Sequence, residues 1–404
     1  MLGHPGLRAF MAARVAAVLA TQVQAVVVAW QVYDLTRDPL ALAYVGLAQF
    51  LPMLCLLLPA GDLIDRFART PILAASWLVS AVCSAALWWL AGHGLAGVSA
   101  IYGVLVLYGC ARAFAGPAMQ SLLPQIVPRE QLAQAIAVNS MLIRSATIAG
   151  PLLGGLLYAA GGAELTYLAC LACFVLGAVL LSRVTVAHAE PPAVSGTMWQ
   201  RFGIGIRFIG SRPVILGCIS LDLFAVLLGG VVALLPIYAH EVLHVGPEGL
   251  GALRSAMAVG EVGMGLYLST RPLRRHVGAT MFAAVAVFGL ANLVFALSHW
   301  FWLSFAALVV AGMADMVSVF IRSALVQFST PDTMRGRVQA VNMLFIGSSN
   351  ELGEFRAGTS AAWLGPVGAA VAGGLCTLGV VGGWTLAFRS LRRLDRFEEA
   401  SPRS

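Results

Sequence analysis

The chain has 404 residues, of which 59% are hydrophobic and 11% charged, with a mean hydropathy of +0.86 and a formal net charge of +7. Soluble domains carry about 25% charged residues, so this composition excludes a water-soluble globular protein and makes the bilayer the solvent. All 25 basic residues are arginine, spread through many short segments rather than gathered on one face, which excludes a nucleic-acid partner.

At about 20 residues per helical crossing, the apolar runs predict twelve spans, at 10–33, 40–60, 72–91, 98–122, 132–158, 165–184, 213–240, 249–270, 279–298, 300–326, 336–361 and 365–388. The first run is too long for a cleaved signal peptide and is read as a retained helix. Nineteen of the arginines lie in the loops or at the span ends of one side, and Arg37 alone lies on the other. The positive-inside rule then places the rich side, and both termini, in the cytoplasm. Trp88 and Trp89 close one span and Trp300 and Trp302 open another, as an outer aromatic belt would.

The longest connection, 185–212, holds Pro191 and Pro192 followed by an Arg- and Phe-bearing stretch. It is read as a cytoplasmic linker whose amphipathic part lies along the lipid headgroups. It divides the chain into a six-helix bundle at 1–184 and another at 213–388, with a charged, solvated cytoplasmic tail at 389–404. The seven cysteines all fall inside apolar runs and read as small buried hydrophobes. No metal or cofactor is expected, since no His or Cys spacing suits one.

The halves repeat. Pro128, Leu132, Ala133, Ala137, Val138 and Asn139 align with Pro331, Arg335, Gly336, Ala340, Val341 and Asn342 at an offset of 203, and the same offset carries Gly109, Ala111 and Arg112 onto Gly312, Ala314 and Asp315. An offset of half the chain predicts that the second six helices duplicate the first, as two pseudo-symmetric bundles.

Between the second and third spans stands a charged knot, residues 61–70, with Gly61, Asp65, Arg66 and Arg69, read as a tight turn. Its G-x-x-x-D-R-x-x-R form resembles the signature loop of the major facilitator superfamily of secondary transporters. The resemblance implies a conformational latch. Asp65 would sit by the positive N-terminal end of the eleventh span near Gly336, and Arg66 and Arg69 would hold neighbouring loops or headgroups. Gly150-Pro151-x-x-Gly154-Gly155 on the fifth span resembles the end of the antiporter motif of exporting major facilitators, a pliable, closely packed site. Residues 315–338, together with Leu235-Pro236-Ile237-Tyr238 and Gly246-Pro247-x-Gly249-Leu250-Gly251, look like the branch containing siderophore and macrolide exporters.

Ionisable groups inside hydrocarbon cost about 2.5–3.5 kcal/mol each on insertion scales, so those within spans are the candidate pathway. They are Arg112, Arg144, Arg254, Arg322 and Arg356, with Asp222, Glu261, Asp315, Glu351 and Glu354. Arg112 and Asp315 occupy equivalent repeat positions and would flank the substrate and proton site, or form a static pair. Arg322, seven residues after Asp315, shares its helix face. Glu351 and Glu354, one turn apart, would raise each other's proton affinity, unless Arg356 pairs with them. Asp222 is a further carrier, and Gln22 is a polar group that would meet substrate. The expected function is export of a small siderophore-like or drug-like amphiphile by alternating access, driven by proton antiport, in a monomer of the inner membrane. The partners are substrate, protons and lipids. The alternatives are a lysophospholipid or lipid translocator, an uptake symporter, a membrane lipid enzyme or a non-transporting scaffold. Against the enzyme stands the absence of a nucleophile elbow, a zinc motif or a phosphate loop.

Overall fold

The computed structural model describes residues 5–94, 97–127, 129–184, 198–271, 273–331 and 334–400. Its elements are α1 (Pro5–Thr36), α2 (Pro39–Arg66), α3 (Arg69–Gly92), α4 (Val98–Ile126), α5 (Arg129–Ser182), α6 (Met198–Gly210), α7 (Pro213–Gly229), α8 (Pro247–Thr270), α9 (Val277–Leu297), α10 (Phe301–Ser329), α11 (Arg335–Ala387) and α12 (Arg389–Arg392). Among the described residues nine helices are long and apolar enough to cross a membrane. Two of them are double crossings. α5 turns at Gly161 and at Gly162, whose φ of 66° only glycine adopts readily, and α11 turns at Gly365, φ 72°, just before Pro366. With α8, which has the length but carries Glu248, Arg254 and Glu261, the fold has the twelve crossings that the sequence predicts.

The chain forms two compact units, Met1–Val194 with His244–Ser255, and Ser195–Leu243 with Ala256–Ser404. In the first, α1 presents Phe10, Ala13, Ala17 and Ala20, a helical stripe of mostly small residues that lets α5 approach closely. Leu73, Trp77, Tyr108, Phe174 and Leu181 complete that core. In the second, Cys218, Leu221 and Ala225 of α7 meet Met281, Phe282 and Val285 of α9 and Ile321 and Leu325 of α10.

The sequence repeat has a physical basis. A methyl group at Gly109 would lie 3.0 Å from Gln49 Cα, and one at Gly312 would lie 3.0 Å from Met257 Cα. The same glycine in each half lets one helix seat on the backbone of another.

Three local expectations are revised. The charged knot is not a turn over its whole length: α2 continues through Arg66, and only Phe67 and Ala68 separate it from α3, with Phe67 N–H donating to Leu63 O at 3.0 Å. The amphipathic part of the linker turns its apolar face onto protein. In α6, Phe202, Phe208 and Ile209 pack with Ile215 and Ile219 of α7, Val326 of α10 and Val338 and Val341 of α11. Gly205 there sits so close that a methyl group would lie 2.9 Å from Arg337 O. The rest of the linker, 185–197, lies outside the described residues.

The tail is not free in solvent up to residue 400. Leu391 and Leu394 are buried against α9, Phe397 stacks on Phe328 at 5.9 Å, and Val277 N–H and Gly278 N–H donate to the carbonyls of Asp395 and Leu394 at 3.2 and 3.0 Å. Asp395 Oδ1 accepts from His276 N–H at 2.9 Å, at the start of α9, where a carboxylate offsets the helix dipole. That hydrogen bond, with Arg275 beside it, holds the Asp395 carboxyl below its ordinary 3.8. A depressed carboxyl stabilises above its unfolded value and loses that contribution as pH falls through the folded one. The contribution of Asp395 to docking of 389–400 is therefore expected to be full above about pH 4 and to be lost as pH falls below it. Asp395→Asn is expected to release the tail already at neutral pH, read as faster tryptic cleavage after Arg389, Arg392, Arg393 and Arg396. Unchanged cleavage would mean that the apolar contacts alone hold it.

Candidate functional site

The second unit holds a buried ion pair. Asp222 on α7 and Arg322 on α10 join through Oδ2 and Nη1, with residue exposures of 5% and 3%. Ser318, one turn before Arg322 on the same face, places Oγ 3.4 Å from Asp222 Oδ1. Arg322 Nε is buried without a hydrogen-bond partner among the described residues. The sequence reading set Arg322 on the face it shares with Asp315; its ion-pair partner is Asp222 on another helix. A buried pair of this kind adds little to stability after desolvation, and inside a membrane an ionisable group is by default a functional one.

Above the pair α7 ends abruptly. Gly230 is extended, at φ −60° and ψ 131°, and the chain continues through a 3-10 turn at Val232–Leu234, a short α turn at Leu235–Ile237 and a π turn at Tyr238–Val242. A helix that stops within a span leaves carbonyls without intrahelical donors, and hydrocarbon offers none. Side chains of the same unit supply them. Arg356 Nε donates to Leu227 O and its Nη2 to Gly230 O, both at 3.2 Å. Asn292 Nδ2 donates to Gly229 O at 3.1 Å, and Thr377 Oγ1 lies 3.2 Å from Ala225 O. Gly353 brings α11 against the same turn, where a methyl group would lie 3.1 Å from Val226 O. Glu351 and Glu354 flank Gly353 and are half-buried, as is Asp315. Arg356, which the sequence offered as their partner, spends these donors on the broken helix.

In the first unit three polar side chains of α1 bond to other helices. Arg14 Nη1 donates to Asn139 Oδ1 at 3.1 Å, Ser84 Oγ to Gln24 Oε1 at 2.7 Å and Tyr167 Oη to Gln31 Oε1 at 2.6 Å. Gln22 is half-buried, its Cβ pressed against Gly150. Arg112 Nη1 reaches Gln49 Oε1 at 3.3 Å, a partner that carries no signal in the sequence beyond being a polar residue in an apolar run.

The Gly-Pro-x-x-Gly-Gly stretch has two working faces. Gly150 and Gly154 receive α1 at Gln22 and Val23. Gly155 and Pro151 receive the start of α8: a methyl at Gly155 would overlap Pro247 O, and one at Gly251 would overlap Pro151 O and lie 3.2 Å from Gly155 Cα. Ser255 Oγ completes the contact, 2.7 Å from Ile148 O.

Of the latch residues, Gly61 lies in the last turns of α2, Arg69 opens α3 and Gly336 lies exposed in the first turn of α11. The side chains of Asp65 and Arg66 lie outside the described residues. Among the described residues no group of three or more His, Cys, Asp or Glu is placed to hold a metal ion.

The family model described as transmembrane secretion effector matches residues 2–403. The enterobactin exporter of Citrobacter koseri is 27% identical over 414 residues, covering 99% of this chain and 95% of the relative, and that of Escherichia coli is 27% identical over 416 residues with the same coverage. Among solved structures, a bacterial homologue of the human lysosomal transporter Spinster, inward-facing and unoccupied, has a TM-score of 0.70 at 16% identity, covering 98% of this chain and 96% of that one. A bacterial homologue of the iron transporter ferroportin, also inward-facing, has a TM-score of 0.71 at 17% identity, covering 94% and 98%. At these identities the structures speak to the fold alone.

Proposed function

We propose that this chain, a membrane transporter that belongs to the transmembrane secretion effector family of major facilitators, exports a small siderophore-like or drug-like amphiphile by proton antiport. The observation that carries the coupling is the buried Asp222–Arg322 pair. With Asp222 ionised the two groups hold α7 to α10; with Asp222 protonated the guanidinium loses its counter-charge and must find other acceptors. Proton binding thus changes how two helices of one unit are joined, which is what an antiporter needs to link a proton to a change of access. The siderophore class and the direction of transport both rest on the enterobactin exporters that match nearly the whole chain.

The domain reading accompanies it: bundles at 1–184 and 213–388, a cytoplasmic linker between them, both termini cytoplasmic, and a monomer in the inner membrane. The arginine asymmetry supports that orientation.

The test is purified protein in liposomes with a trapped pH dye, challenged in turn with a catecholate siderophore, a macrolide and a lysophospholipid. Proton flux opposite to the siderophore or the macrolide is the expected result. Flux in the same direction would replace antiport by symport. Lysophospholipid movement without protons would make the protein a lipid translocator, and no flux from folded protein would sink the export reading.

A further inference from the structure

The break in α7 is built rather than tolerated. Four carbonyls around it, of Ala225, Leu227, Gly229 and Gly230, lie within hydrogen-bond reach of three side chains from three different crossings: Arg356 and Thr377 from the two arms of α11, the Thr377 hydroxyl being shared with Gly373 O of its own helix, and Asn292 from α9. Arg356 is the only one of the three that spans the break. Its Nε holds Leu227, inside the helix, and its Nη2 holds Gly230, the first residue outside it. The carbonyl end of a helix carries partial negative charge, and broken transporter helices commonly use such carbonyls to coordinate a coupling cation. Here the cation is covalently attached to the protein.

We propose that Arg356 is a tethered cation that positions a hinge in α7, and that residues 230–243 beyond it move as a separate segment during transport. Three features of that segment fit a moving part. Its hydrogen-bond register changes from 3-10 to α to π within eleven residues, Val232–Val242. Pro236 removes one backbone donor from it. It ends at Leu243, where the chain leaves the second unit through His244, whose φ of 51° lies in the left-handed region. The bond from Arg356 to Gly230 fixes the two sides of the break relative to one another, because both carbonyls bind one planar guanidinium whose donors are fixed, while Tyr238 Oη, donating to Ala296 O at 2.9 Å, holds the far part to α9. Asn292 and Thr377 hold only the α7 side and have no grip on the far side. The inference concerns the second unit alone and does not depend on which substrate is carried, or on its direction.

The experiment is hydrogen–deuterium exchange on the full chain in lipid nanodiscs, without any substrate. Arg356→Gln is expected to speed exchange by tenfold or more across 228–243 and to leave α9 and α10 unchanged. Arg356→Lys, which keeps the charge but not the fork, is expected to fall between Gln and native. Thr377→Val, close to isosteric, is expected to leave 231–243 near native, since it touches only the helical side. Native exchange at 228–243 in Arg356→Gln would overturn the proposal. So would an increase spread evenly over the unit, which would make Arg356 a general packing residue, or Lys no better than Gln, which would remove the cation from the account. If Arg356→Gln does not fold, Arg356→Lys alone still decides, because faster exchange confined to 230–243 supports the hinge and a native profile overturns it. Failure of coupled export in liposomes would leave these outcomes untouched, so the two readings fail separately.

Discussion

Asp222→Asn is expected to yield a folded protein that has lost proton-coupled export, while Arg322→Leu is expected to lose stability as well. The two halves of the pair are not equivalent. Asn keeps the volume of Asp and leaves Arg322 an amide oxygen to bond, so the loss is that of one charge-assisted hydrogen bond, about 1.5–3 kcal/mol. Leu at position 322 instead leaves the Asp222 carboxyl, 5% exposed, with the Ser318 hydroxyl as its one remaining side-chain partner among the described residues. Removing one partner of a buried pair costs about 3–5 kcal/mol, because the remaining charge must be carried unpaired or neutralised. The decisive variant is the double one, Asp222→Leu with Arg322→Met. Replacing both charges by apolar groups of similar volume is commonly neutral or stabilising by about 1–4 kcal/mol, so this protein is expected to unfold no earlier than native. It is also expected to show no substrate-driven proton movement. Stability would thus recover while coupling would not, a separation that no purely structural role of the pair produces. Unfolding in mixed micelles gives the first quantity and trapped-dye liposomes the second. A double variant that still moves protons against substrate would remove Asp222 from the coupling path.

The fold was legible because a bilayer writes it in composition: twelve apolar runs, glycines at the turns of Gly162 and Gly365, and an offset of 203 that returns as the same close approach at Gly109 and Gly312. Buried charges were legible one by one, since each is costly in hydrocarbon. Their partners were not. Spacing along a helix says which residues share a face, so Asp315 and Arg322 were grouped, but the rotation of α7 against α10 that selects Asp222 appears nowhere in the sequence. The collar at the break escaped for a different reason. Asn292 and Thr377 are single polar residues in long apolar runs, where nothing tells a group that reaches a neighbouring helix from one that bonds only its own, as Thr377 also does at Gly373 O. The tail was misjudged by its charge. Phe388, Leu391, Leu394 and Phe397 recur every three residues among the arginines, and that apolar stripe is the face that docks.

Gly155→Ala and Gly251→Ala are expected to part the start of α8 from α5 without unfolding either helix. At both positions a methyl group meets backbone, the carbonyl oxygens of Pro247 and Pro151, and at Gly155 also Glu248 Cα at 3.0 Å. A side chain can rotate away from a new methyl; a helix backbone cannot, so the two helices must separate. Overpacking of this kind costs about 1–3 kcal/mol, which changes a two-state equilibrium about 5- to 150-fold. The cost falls on the closed contact alone, because neither glycine has a positive φ and alanine favours both helices where they are apart. The Ser255 hydroxyl, 2.7 Å from Ile148 O, is lost in the same step. Nitroxides at Leu156 and Glu248, both exposed, are close enough in the closed contact for dipolar broadening on a cysteine-free background. The broadening is expected to collapse in either alanine variant and in Ser255→Ala to weaken only slightly, since one hydrogen bond contributes about 1 kcal/mol. If α5 and α8 separate during export, the alanine variants are also expected to lose transport through failure to close rather than through loss of coupling, with Asp222 and Arg322 intact. Full broadening in a folded Gly155→Ala protein would show that the helices slide past the methyl instead of parting, and the Gly-Pro-x-x-Gly-Gly stretch would then be ordinary packing.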